Sequence, residues 1–228
     1  MARNPALVVS ARIAPSGRSG ETVLTAFRPP RGTLLLPLPP DRKPASALVT
    51  AISGVAANDA VILLDARRGE DVRYDSEPYR DAIEDSRPDA RVLLYDADRV
   101  LSFLWHFRDR HDPLTLGHAR ERRLFDPGVL SGEIPRHRGP GRREERRRAT
   151  EELRRMLVTL GAALGVRVPL PPLLPAPSGW GAKRLAGAID ACAGLYAGML
   201  WRFGAPVAVE TETKNGPALV LAEQGRAV

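Results

Sequence analysis

The chain has 228 residues, room for one large domain or two small ones, and its 43% hydrophobic and 27% charged residues are globular composition. The formal net charge is +7, which points to an anionic partner, nucleic acid first of all, although GC-rich coding also enriches arginine. A single cysteine, Cys192, excludes an intrachain disulfide and a multi-cysteine zinc site, and no apolar run approaches a membrane span, so the chain reads as cytoplasmic with no membrane partner.

The N-terminal apolar run is too short for a signal peptide, and residues 6–13, rich in Val and Ile, predict a strand. Residues 22–27 predict a second strand and 34–38 a third, separated by Gly and Pro clusters, as in an antiparallel meander. Pro44 suits a first helical turn and opens a helix over 45–56. Residues 60–65 form an unbroken apolar run ending in Asp65, which suits a strand buried on both faces. A short helix over 79–85, a buried strand over 91–95 and a helix over 98–108 follow, with Asp96 or Asp98 placed to cap the last.

Residues 114–140 carry no sustained period, and 109–164 as a whole reads as an irregular, basic insertion. Its second half, 142–164, is helical, with Leu153, Met156, Leu157 and Leu160 at helical spacing behind an almost wholly charged start. The proline-rich stretch 168–177 predicts a stiff extended connector. A long helix over 180–203, rich in Gly and Ala, suits close packing on a sheet. Two strands, 207–211 and 218–222, flank Lys214-Asn215-Gly216, a hairpin signal.

Three antiparallel strands, a crossover helix and then β-α-β-α is the order of the ribonuclease H fold. The expected class is therefore α/β: one domain over 1–228 with a ribonuclease H-like mixed sheet, an Arg-rich helical insertion and a C-terminal helix plus β-hairpin. The run Arg91-Val92-Leu93-Leu94-Tyr95, the Arg-rich helix and Ile189-Asp190-Ala191-Cys192-Ala193-Gly194-Leu195-Tyr196-Ala197 resemble the predicted-nuclease family catalogued as domain of unknown function 429. The resemblance implies a ribonuclease H-like fold, an acid ending the first strand, an Asp after the fourth, a Glu-x-Tyr-Pro-like segment and an Asp-Ala pair on a late helix. Asp65 and Asp190 match two of these positions. The first strand offers Ser10 and Arg12 where an acid is expected, and the Glu-x-Tyr-Pro segment stands as Leu93-Leu94-Tyr95-Asp96.

The chemistry implied is metal-dependent phosphodiester hydrolysis, in which carboxylates hold Mg²⁺ or Mn²⁺ and the metals activate water and stabilise the leaving oxygen. Asp65 and Asp190 would be metal ligands, and Asp65, Asp190 and Asp96 the catalytic carboxylates. Against this, Arg12 repels a metal, and Asp65 and Asp190 also have plain readings: a turn former at a strand end, and a helix residue paired with Lys183 or Arg184.

Two further clusters stand out. His106, Asp109, His111, Asp112 and His118 are dense enough for a transition metal, yet their spacing fits a polar loop better. Arg138, Arg142, Arg143, Arg146 and Arg147, with Arg136 and Arg148, suit phosphate oxygens, or else a solvated helix with pairs such as Glu144–Arg148 and Glu151–Arg155. No aromatic residue interleaves with these arginines. Three functions stay open: a metal-dependent nuclease or diverged relative, a non-catalytic nucleic-acid-binding or regulatory module using the basic helix, and a partner-binding protein.

Overall fold

In a computed structural model, the described residues are 5–13, 22–29, 32–38, 44–65, 77–107, 134–137, 142–175, 178–205 and 207–221. They form β1 (Ala6–Arg12), β2 (Thr22–Arg28), β3 (Gly32–Leu38), α1 (Pro44–Ser53), β4 (Ala56–Asp65), α2 (Glu77–Ser86), β5 (Arg91–Tyr95), α3 (Ala97–Phe107), α4 (Arg143–Ala163), α5 (Ala182–Arg202), β6 (Ala208–Thr213) and β7 (Gly216–Leu221). The seven strands make one mixed sheet in the order β3-β2-β1-β4-β5-β7-β6. The first three pair antiparallel as a meander, while β4 lies parallel to β1 and β5 parallel to β4. The closing hairpin extends the sheet, with β7 parallel to β5.

The period of two along each strand sends alternate side chains to opposite faces. Val8, Leu63, Leu93 and Tyr95 pack on one face under α3, α4 and α5. Val9, Ile62, Leu64, Val92 and Leu94 pack on the other, against Leu48 and Ile52 of α1 and Ile83 of α2. The central strands are thus apolar on both faces, as the run at 60–65 demanded.

Boundaries moved where polar residues sit inside an element. β4 begins at Ala56, not 60, because Asn58 and Asp59 belong to an irregularity: pairing with β1 shifts between Ala6↔Ala56 and Val8↔Val61. Arg87 holds this stretch, its Nη2 donating to the carbonyls of Ala56 and Ala57. The helix expected over 45–56 ends at Ser53 because the chain turns at residues 54–55, where the Val55 amide donates to the Ile52 carbonyl at 3.0 Å, to enter β4. The hairpin turn is Lys214-Asn215, and Gly216, at φ 113°, is already the first residue of β7.

Helices α4 and α5 run side by side in the same direction. Near the start of α4, Arg147 donates to the carbonyl of Leu174, in the segment that enters α5. Farther along both, Tyr196 of α5 donates to the carbonyl of Leu157. A helix of 21 residues is about 30 Å long, so the chain must travel back that far to start a parallel neighbour. Residues 164–175, with prolines at 169, 171, 172 and 175, lead back to the start of α4, where Leu174 meets Arg147. Gly161 allows the close approach, since a Cβ there would meet the Tyr196 hydroxyl at 2.6 Å.

Among the described residues, no helix is long and apolar enough to cross a membrane.

Candidate functional site

The parallel strands β1, β4 and β5 end at one edge of the sheet, and α5 crosses that edge on the face carrying Ser10, Arg12 and Tyr95. α5 runs against β1: a Cβ on Gly187 would lie 3.7 Å from Arg12, one on Gly194 2.3 Å from Ser10 Oγ, and one on Gly198 2.6 Å from Val8. Glycines at these positions let the helix backbone settle onto the strands.

Asp190 sits between these contacts, with a completely buried carboxylate. Its Oδ1 lies 3.0 Å from Nε2 of His137, and its Oδ2 lies 3.9 Å from Nε of Arg12. A buried carboxylate is costly unless charge and hydrogen bonds compensate it, and these two side chains do so. Asp190 thus takes partners from β1 and from residues 134–137, far from its own helix in sequence. Behind the carboxylate, Ser10 Oγ donates to Tyr95 Oη, which donates to the Asp190 carbonyl at 2.9 Å. Thr25 Oγ1 donates to the Ala191 carbonyl at 3.1 Å. One buried polar seam therefore ties three strands to α5. Cys192, also buried, has its thiol pKa pushed up by desolvation, so it stays a neutral packing group and not a nucleophile.

The other two acids serve a different end. Asp96 is the N-cap of α3, its Oδ1 accepting from the amides of Asp98 at 3.0 Å and Arg99 at 3.2 Å. The buried Asp65 lies 3.4 Å from the amide of Ala97, the first residue of the same helix. Both carboxylates thus face the positive end of α3, where free amides favour anions. Among the described residues no group of three His, Cys, Asp or Glu is gathered as a metal would require.

Of the basic residues, Arg142 and Arg143 are exposed and Arg146 and Arg147 half-buried at the start of α4, whereas Arg138 lies outside the described residues. The amide of Arg142 donates to Glu145, half of a capping box, since an arginine side chain accepts nothing in return. Glu144 pairs with Arg147 at 4.0 Å and not with Arg148 as its spacing suggested, while Glu151–Arg155 forms as expected at 3.1 Å. The side chain of His106 and the residues Asp109, His111, Asp112 and His118 lie outside the described residues.

Residue types alone gave no sign of His137. Ser10 and Thr25 carried a faint signal, as lone hydroxyls inside apolar strands, and Tyr95 only as the end of one. Comparison with protein-family models, with curated proteins and with solved structures finds no match for this chain.

Proposed function

We propose that the chain is a ribonuclease H-like domain that binds nucleic acid through its basic edge and does not cut it. The fold part rests on topology. The order β3-β2-β1-β4-β5, with β2 and β3 antiparallel and β4 and β5 parallel to β1, is that of a ribonuclease H sheet. The family resemblance at Ile189–Ala197 falls on α5, the helix that packs on β1, β2 and β4.

The observation that carries the functional part is Arg12 beside Asp190. The guanidinium stands at the end of the first strand, where the resemblance asks for an acid, and it already supplies positive charge to the late-helix carboxylate. A divalent cation there would meet an arginine in place of a ligand. Asp65 and Asp96 face the amides of α3. This donor set does not suit Mg²⁺ or Mn²⁺ in a two-metal centre. What the protein offers instead is cationic surface: Arg142 and Arg143 are exposed at the start of α4, and their forks match phosphate oxygens.

The test sets cleavage against binding. Labelled DNA and RNA are incubated with Mg²⁺ or Mn²⁺ and the wild type, Asp65→Asn or Asp190→Asn, and binding is titrated over a salt series. Binding should weaken steeply with salt, with the slope falling by about 0.7–0.9 for each phosphate contact removed by Arg142→Ala or Arg143→Ala. Metal-dependent cleavage lost in Asp65→Asn and Asp190→Asn would instead establish the nuclease that the resemblance implies.

A further inference from the structure

The aromatic residue missing from the basic sequence cluster is supplied by the fold. Arg147 Nη2 donates to the carbonyl of Leu174 at 2.8 Å. The amide of Leu174 donates to the carbonyl of Trp180 at 3.1 Å, and the amide of Trp180 donates to Pro172 at 2.8 Å. Trp180 is thereby fixed beside the start of α4. The Arg184 guanidinium lies 4.2 Å from the centre of its ring, and Lys183 is exposed next to it. Arg143 precedes Arg147 by one helical turn, on the same side of α4. Two segments far apart in sequence thus meet where the Trp180 ring, packed against the core, is covered by the Arg184 guanidinium beside the start of α4, on which Arg143 is exposed.

We infer that this surface takes single-stranded nucleic acid, with a base stacked at the Trp180–Arg184 pair and phosphates on Arg143 and Lys183. The inference rests on the nucleic-acid reading above and narrows it. A base in a duplex has both faces covered by its neighbours, whereas an unpaired base presents a face that any aromatic or guanidinium plane can cover. A duplex needs only phosphate contacts and would make no use of the tryptophan. Trp180 is half-buried, its ring packed against the core and under Arg184, so little side-chain freedom is lost when a base stacks on the pair.

The experiment measures fluorescence anisotropy of labelled oligo(dT), oligo(U) and a duplex across a salt series. The proteins are the wild type, Trp180→Phe, Trp180→Leu, Arg184→Ala and Arg143→Ala, each checked for native circular dichroism. Both single strands should bind more tightly than the duplex, and the comparison of oligo(dT) with oligo(U) separates DNA from RNA. Trp180→Leu should weaken single-strand binding about tenfold with an unchanged salt slope, Trp180→Phe should keep most of the affinity, and Arg143→Ala should lower the slope. Duplex preference, or single-strand affinity indifferent to Trp180→Leu and Arg184→Ala, overturns the stacking site while leaving nucleic-acid binding in place. Absence of binding to all three probes overturns both.

Discussion

His137 and Asp190 meet at 3.0 Å, and the carboxylate of the pair has no exposure to solvent. The histidine belongs to residues 134–137, between α3 and α4 in the chain, so this contact fastens those residues to the helix that packs on the sheet. Arg12 reaches the other oxygen only at 3.9 Å, which makes the histidine the shorter and better-directed partner.

Removing one member of a buried pair leaves the other uncompensated, which costs more than the pair contributes. His137→Ala is expected to destabilise the fold by about 2–4 kcal/mol. Asp190→Asn, which keeps the shape and a hydrogen bond but loses the charge, should cost about 1–3 kcal/mol. Denaturant midpoints of the two single variants and the double variant measure the coupling, expected at about 1–3 kcal/mol. Independent, additive effects would show that the two side chains do not depend on each other.

Two glycines of α5 should respond with opposite signs to the same substitution. A Cβ on Gly194 would lie 2.4 Å from Tyr95 Cζ and 2.3 Å from Ser10 Oγ, and that ring is tied by hydrogen bonds on both sides of its hydroxyl. The gain in helix propensity, about 1 kcal/mol, cannot offset such overpacking, so Gly194→Ala should lose about 2–4 kcal/mol. At Gly187 the nearest atom is Val23 Cγ2 at 3.4 Å, an ordinary contact. There the propensity term wins, and Gly187→Ala should be neutral or stabilising by up to about 1 kcal/mol. Thermal melts of the two variants decide it, and a stable Gly194→Ala would mean that α5 sits farther from the sheet.

Glu151 provides a pH test away from the site. Its pKa is lowered chiefly by the hydrogen bond from Arg154, against desolvation, with Arg155 adding to the effect. A carboxylate lowered on folding adds stability above its ordinary value of 4.5, and that stability fades as the pH falls through the lower, folded value. Because the pair is solvent-screened, Glu151→Gln should cost only about 0.5 kcal/mol at neutral pH. Urea melts from pH 7 to pH 3 should show the two proteins converging below pH 4.5. A gap that stays constant over this range would mean that the carboxylate charge is not what Arg154 recognises.

The repeating character of the chain was legible in the sequence. The Val- and Ile-rich runs became β1, β4 and β5, the Leu153–Leu160 spacing became the buried face of α4, and the prolines became the returning connector. Local sterics and the burial of apolar side chains act over a few residues, so their trace survives in residue order. Errors fell where a polar pair interrupts an element, as at Asn58-Asp59, because a bulge held by Arg87 uses turn-forming residues inside a strand.

The candidate site was legible only in part. Asp65 and Asp96 stood out as acids at element ends and Asp190 as the Asp-Ala pair on a late helix, and Asp96 does cap α3. Whether an acid faces amides, a histidine or an arginine is fixed by groups brought from distant parts of the chain, and no local pattern encodes that. The same holds for the single cysteine and the net charge: composition by itself bounded the chemistry and pointed to an anionic partner. Only the tertiary structure set Arg12 and His137 on Asp190 and Trp180 beside the arginines of α4, because electrostatic partners are chosen by distance in space.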